Sequence, residues 1–244
     1  MTAPPPATII AFACAGSAED MYTSIGSGSR RAPSPLLDWV TAAGARLLAA
    51  QLPGRASRRG DPYATSAQAV AAEILPLIAS SLADAASRGA PWAAVGHSLG
   101  AWLAFELAAL AASARLPPAR LIVSAMPAPD TPMVARPWTA QASLDSAGFA
   151  AECRAWGIAD AVFAPSVWAE YEPLLRADFR LFDEYAWRGG RREGRTGRGV
   201  DRQTHKCLAN YMLKQSPPHP SSHLQPALPS PATSPHSTAT PTTA

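Results

Sequence analysis

The chain has 244 residues, is 48% hydrophobic and carries a formal net charge of +3, which is enough length and apolar content for one large domain or two small ones. Pro, Arg, Asp or Glu interrupt its apolar runs before they reach the length of a membrane span. No basic region leads into an apolar stretch at the start of the sequence, so we expect no secretory signal.

The first half of the chain alternates between strand-like and helix-like patterns. Short β-rich apolar runs at 8–15, 45–52, 91–95 and 119–124 predict four strands. Apolar residues at helical spacing predict helices at 65–86 and 99–112. Thr65 or Ser66 can cap the first of these helices, and Pro76 is expected to kink it. Strands that alternate with helices predict a parallel sheet and the α/β fold class.

A serine between two glycines stands where the third predicted strand meets the second helix. The sequence G-H-S-L-G at 96–100 fits G-x-S-x-G, the pattern of a nucleophile elbow. Such a turn presents the serine at the carboxyl end of a strand, the edge where open α/β sheets bind their ligands. We therefore predict that Ser98 is a catalytic nucleophile rather than a buried structural serine or an incidental loop residue.

The second half departs from this alternation. Residues 138–187 combine short helical patterns with many aromatic side chains, which we interpret as a lid or, alternatively, as ordinary helical core. Residues 188–214 carry eight basic side chains against two acidic ones, and an uncharged segment rich in Pro, Ser and Thr follows. Neither stretch has enough apolar surface to fold. We predict a domain at 8–187, with its lid at about 138–187, and a disordered tail at 188–244.

The Gly/Arg run in this tail raises a separate possibility. Clustered Arg with Gly is able to track phosphates in an RNA-binding tail. The run lacks interleaved aromatic residues, and no RNA-binding fold precedes it. A solvated tail is the better interpretation, and we expect no binding of nucleic acid.

Several motifs occur together in one order along the chain. They are F-A-C-A-G-S at 12–17, Q-L-P-G-R at 51–55, G-H-S-L-G-A at 96–101 followed by F-E-L at 105–107, and L-L-R-A-D-F at 174–179 followed by Tyr185. With them the chain resembles the type II thioesterases of polyketide and non-ribosomal peptide synthetases, and the related thioesterases of fatty acid synthesis. The resemblance covers roughly residues 9–187 and implies an α/β-hydrolase fold with a helical lid.

The resemblance also implies an activity and a site. The substrate would be an acyl thioester on the phosphopantetheine arm of an acyl or peptidyl carrier protein, hydrolysed for editing or chain release. Ser98 would attack the thioester carbonyl, and the backbone N–H groups of Leu99 and Ala15 would form the oxyanion hole. No metal and no cofactor is implied. The three widely spaced cysteines suit reduced thiols, so we expect a cytoplasmic protein. We also expect a monomer that binds no membrane.

The sequence after Trp187 departs from the family pattern. The family continues with strands, a turn that bears the catalytic Asp and a G-H-F motif that bears the catalytic His, and none of these is recognisable here. Asp201 and His205 fill the order Ser, Asp, His only formally, and Asp130 is an alternative acid better explained as a solvated loop residue. We therefore expect a truncated or replaced C-terminal part. Two interpretations stay open: an active thioesterase, or a catalytically impaired acyl- or carrier-binding protein without the Asp and His of the triad.

Overall fold

The structure is a computed structural model that describes residues 6–24 and 34–187. One sheet contains four strands, β1 (Thr8–Phe12), β2 (Arg46–Ala49), β3 (Trp92–His97) and β4 (Arg120–Ser124). Their order across the sheet is β2-β1-β3-β4, and all neighbours run parallel. The predicted α/β class with a parallel sheet is confirmed.

The two central strands are β1 and β3. All five residues of β1 are buried, as expected for a parallel strand that is covered on both faces. Ile10 pairs with Leu48 of β2 and with Ala94 of β3. The strand predicted at 8–15 ends earlier, at Phe12, because a turn follows in which the N–H of Ser17 donates to the carbonyl of Cys14 at 3.1 Å. The strand predicted at 45–52 is also shorter than expected.

Helix α3 (Ala67–Ser87) connects β2 to β3, and helix α4 (Leu99–Ser113) connects β3 to β4. Ser66 caps α3, because its Oγ accepts the N–H of Ala69 at 3.0 Å, and Pro76 lies inside that helix. In contrast, α4 is buried nearly all round, since it packs between the sheet and α3. The main core therefore lies on the face of the sheet that α4 covers.

Two helices precede β2 that the sequence pattern does not predict, α1 (Asp20–Thr23) and α2 (Pro35–Ala42). Both are short, so their apolar residues span too few turns to establish a helical period. In α2, Val40 packs against Ile9 and Ala93 on the second face of the sheet. This helix therefore covers the face opposite to α4.

The aromatic-rich segment contains α5 (Ser146–Ala155) and α6 (Pro165–Asp183). Its rings pack edge to face and tilted, with centroids 5.1 Å apart for Trp138 and Phe182 and for Phe149 and Phe179. Trp138 also meets Trp102 of α4 at 6.1 Å, so the segment is attached to the main core. These aromatic residues form packed structure, and the role of the segment as a lid stays a prediction.

By length and composition, α3 is the one helix among the described residues that is long and apolar enough to cross a membrane. This finding differs from the expectation that no apolar run reaches the length of a membrane span. A core helix of a globular protein passes the same test; α3 packs along α4, and 28% of its apolar window is buried. The predicted tail at 188–244 lies outside the described residues.

Candidate active site

The turn at Ser98 connects the end of β3 directly to the start of α4. Ser98 is half-buried and has φ 53° and ψ −126°. A non-glycine residue rarely adopts a positive φ, and such a conformation costs of order 1–3 kcal/mol, which the surrounding structure has to offset. Ser98 therefore lies at a strained strand-to-helix turn on the carboxyl edge of the sheet, although its chemical role is still a prediction.

The glycines on either side of Ser98 leave no room for a side chain. A Cβ at Gly96 would lie 2.0 Å from the carbonyl oxygen of Gly100. A Cβ at Gly100 would lie 2.1 Å from the carbonyl oxygen of Phe12 and 2.7 Å from that of Ala13. The first turn of α4 thus touches both the strand before it and the end of β1. These two glycines bring the loop after β1 next to Ser98.

Hydrogen bonds fix the turn to the end of β4. The N–H of Ser98 donates to the carbonyl of Ser124 at 2.9 Å. The Nδ1 atom of His97 and the hydroxyl of Ser124 lie 2.8 Å apart in a second hydrogen bond. Burial lowers the pKa of His97 below its ordinary value, so the ring is neutral at pH 7. His97 is thus engaged with Ser124 through one ring nitrogen.

The two predicted oxyanion donors lie on the segments that meet at this turn. Leu99 is fully buried as the first residue of α4, where a helix leaves its N–H groups free of intrahelical partners. Ala15 lies three residues after the end of β1. Within residues 6–24 and 34–187, the N–H groups of Ala15 and Leu99 donate to no carbonyl of a turn or loop. Their role as oxyanion donors stays a prediction.

A buried ion pair lies beside the loop that bears Ala15. Arg55 and Asp178 form two hydrogen bonds, from Nη1 to Oδ2 at 2.6 Å and from Nη2 to Oδ1 at 2.5 Å. The N–H of Gly16 donates to the same Oδ2 at 2.8 Å, and Nη1 of Arg55 donates to the carbonyl of Ser17 at 3.1 Å. Two motifs that carry the family resemblance, Q-L-P-G-R and L-R-A-D-F, are therefore in direct contact. One indication of this ion pair was available in the sequence, the opposite charges of Arg55 and Asp178. Opposite charge alone does not identify two partners that are 123 residues apart.

A cavity of about 360 Å³ opens next to this loop. It is bounded by the loop after β1, the segment around Arg55 and the first half of α6, and its lining residues are Gly16–Asp20, Gly54–Ala56, Arg59, Glu170, Tyr171 and Leu174. Ser98 does not belong to this lining, so the cavity does not by itself mark the place of an acyl group.

The structure brings no acid–base pair to Ser98 within the described residues. His97 is the one histidine among them, and Asp130 is exposed in the segment after β4. Asp201 and His205 lie outside the described residues. No group of three or more His, Cys, Asp or Glu side chains that could hold a metal ion occurs in the described part of the chain.

Comparison with known proteins gives a family match over most of the chain. A family model described as the thioesterase domain matches residues 8–228. This range includes Asp201 and His205. No curated protein sequence matches the chain.

Solved structures with this arrangement include three thioesterases. RedJ, a thioesterase from the prodiginine biosynthetic pathway in Streptomyces coelicolor, has a TM-score of 0.59 at 22% identity, covering 78% of this chain and 70% of RedJ. YbtT, a type II thioesterase from the yersiniabactin NRPS/PKS biosynthetic pathway, has a TM-score of 0.56 at 26% identity, covering 74% and 66%. BorB, a type II thioesterase from the borrelidin biosynthetic cluster, has a TM-score of 0.56 at 27% identity, covering 77% and 66%. The chain thus spans about two thirds of the length of these proteins, and its fold is the predicted α/β-hydrolase fold.

Proposed function

The chain belongs to the thioesterase domain family, and from this premise we propose that it is a serine thioesterase for acyl chains bound to a carrier protein. YbtT and BorB are type II thioesterases of biosynthetic pathways, and the substrate that we propose is an acyl or peptidyl group on a phosphopantetheine arm. Editing or chain release in polyketide, peptide or fatty acid synthesis is the role that we assign to the reaction. The observation that carries the proposal is the strained turn at Ser98, between β3 and α4.

The proposed reaction has two halves. The hydroxyl oxygen of Ser98 forms a bond to the thioester carbonyl carbon, and the carbonyl oxygen becomes negative in the tetrahedral intermediate. The N–H groups of Leu99 and Ala15 stabilise that oxygen, and one such donor contributes about 3 kcal/mol to lowering the barrier. The C–S bond then breaks, the thiol leaves with a proton, and water hydrolyses the acyl-serine to regenerate Ser98.

The proton from Ser98 requires a base, which we do not assign within the described residues. His97 is next to Ser98 in sequence, but its Nδ1 is engaged with Ser124. His205, with Asp201 as its partner, is the candidate that the order of the triad allows. A serine hydroxyl without a base is a weak nucleophile at neutral pH.

The absence of an assigned base among the described residues favours the second candidate function, a catalytically impaired protein that binds acyl groups or carrier proteins. In that case the turn at Ser98 and the aromatic segment persist without a working triad. The two functions differ in whether turnover depends on Ser98 and on a histidine.

The test is hydrolysis of a short acyl-pantetheine thioester by the full chain, compared with Ser98→Ala and His205→Gln. A Ser143→Ala variant serves as the control, since Ser143 is an exposed serine whose hydroxyl contacts only the carbonyl of Ala140. We expect Ser98→Ala to abolish turnover and Ser143→Ala to leave it unchanged. Equal rates for wild type and Ser98→Ala would instead support the binding protein, and a loss in His205→Gln would identify the base.

A further inference from the structure

Three segments that are distant in sequence meet at the ion pair of Arg55 and Asp178. Arg55 ends the Q-L-P-G-R motif, Asp178 lies in α6, and the loop after β1 contacts both of them. The two residues are 7% and 2% exposed. Burial of two charges is costly unless their remaining hydrogen-bonding groups are satisfied. Here the loop after β1 supplies both an N–H group and a carbonyl group to the pair.

The contacts with the loop lie one and two residues after the proposed oxyanion donor, Ala15. Gly16, which directly follows Ala15, donates its N–H to Asp178, and Ser17 accepts from Arg55. Gly16 has φ +74°, and a Cβ there would lie 2.7 Å from the side chain of Leu175 in α6. The N–H of Ser17 also donates to the carbonyl of Cys14 at 3.1 Å, and that carbonyl shares a peptide plane with the Ala15 N–H. The ion pair and α6 therefore restrain the backbone next to the Ala15 N–H.

The bidentate geometry fixes how the Asp178 carboxylate is oriented towards the loop after β1. Two parallel hydrogen bonds between a guanidinium and a carboxylate fix the orientation of both planar groups. Oδ2 of Asp178 accepts from Arg55 and from Gly16 at once. An isosteric amide offers one oxygen in place of two, so it is unable to satisfy all three donors of this arrangement.

We propose that Arg55 and Asp178 are positioning residues that hold the N–H of Ala15 in the oxyanion hole, with Asp178 linking helix α6 to that hole. The proposal rests on the thioesterase function proposed above. It assigns the pair no contact with the substrate. An error of about 1 Å in the position of a catalytic group is able to reduce a rate by about 100-fold. Loss of the pair is therefore expected to reduce kcat while leaving KM nearly unchanged.

The first measurement is amide hydrogen exchange across residues 14–18 in wild type, Asp178→Asn, Arg55→Lys and a matched control, Glu172→Gln. Glu172 forms an ion pair with Arg176 at 2.8 Å on the same helix, and its hydrogen bonds lead to Ser146 and Arg176 rather than to the loop. We expect exchange in this loop to be at least about tenfold faster in Asp178→Asn. Arg55→Lys keeps the carboxylate for Gly16 and should have a smaller effect, and Glu172→Gln should have none.

The second measurement is kcat and KM on the same thioester, restricted to variants that retain a cooperative unfolding transition. We expect kcat to fall by about 10- to 100-fold in Asp178→Asn, with KM and the Glu172→Gln rate within about twofold of wild type. Unchanged loop exchange in Asp178→Asn overturns the proposal, and so does faster exchange with unchanged kcat. If wild type shows no turnover that depends on Ser98, the thioesterase function fails instead, and the exchange experiment alone decides whether the pair holds the loop.

Discussion

At the scale of single residues, the proposed site depends on an unusual backbone conformation and on one side-chain hydrogen bond. Ser98 has a positive φ, and its neighbour His97 is bound to the end of the next strand. His97 is the last residue of β3 and directly precedes Ser98, so its hydrogen bond to Ser124 lies next to the turn.

The pKa of His97 is lowered by burial, which gives a pH dependence of definite sign. The unfolded chain binds the proton more strongly than the folded chain, so stability contributed by neutral His97 is present above its unfolded pKa of about 6.5 and is lost as the pH falls towards the lowered folded pKa. We expect the free energy of unfolding of wild type to fall over this window more than that of His97→Gln. Urea denaturation at several pH values between about 7 and 5 measures the difference. Parallel curves for the two proteins would show that His97 titrates alike in both states.

At the scale of elements, the active-site region is a junction of β1, β3 and α4 built around two glycines. The approach of α4 to the end of β1 is a contact between backbones, with Gly100 facing the carbonyl oxygens of Phe12 and Ala13. Backbone atoms at this junction have no flexible side chain that could move aside. The junction therefore tolerates no additional atom.

A Gly100→Ala substitution tests this contact. We expect it to destabilise the protein by about 3 kcal/mol, the upper part of the range for overpacking, because strand β1 or helix α4 has to shift. Gly60→Ala is the matched control, since nothing lies within 4 Å of a Cβ at Gly60 and its φ is not positive. The midpoint of urea unfolding distinguishes the two variants. Equal midpoints would mean that the elements separate at little cost.

Local pattern was sufficient to predict two kinds of element. Short β-rich apolar runs marked the four strands, and apolar residues at helical spacing over several turns marked α3 and α4. The pattern did not predict α1 or α2, since four and eight residues are too few to define a period. It also did not predict the pairing of Arg55 with Asp178. That contact depends on how α6 lies across the sheet, which no local spacing encodes.

At the scale of the whole molecule, the residues of the proposed site are divided between the described part of the chain and the part after Trp187. The described residues contain the turn at Ser98 and both proposed oxyanion donors, with one histidine that is otherwise engaged. The family match continues to residue 228, although the typical Asp and His motifs are not recognisable after Trp187. We therefore expect the rate of the proposed hydrolysis to depend on the C-terminal part.

A chimera tests this dependence. We replace the sequence after Trp187 with the C-terminal part of a type II thioesterase that carries its own Asp and His, and compare hydrolysis of acyl-pantetheine. We expect the chimera to be faster by at least about 1,000-fold, the order of the loss when a triad member is absent. A chimera with Ser98→Ala controls for hydrolysis by other groups. Equal rates for the chimera and the natural chain would show that the natural C-terminal part already supplies a base.

The contact between Gly96, Gly100 and the end of β1 also limits which positions around Ser98 can be changed. Engineers usually alter substrate range by enlarging or shrinking side chains next to the nucleophile. At Gly96 and Gly100 this approach is not possible, because main-chain atoms occupy the space that a side chain would need. A change of side chain near Ser98 therefore has to avoid Gly96 and Gly100, whose neighbours are backbone atoms that no substitution removes.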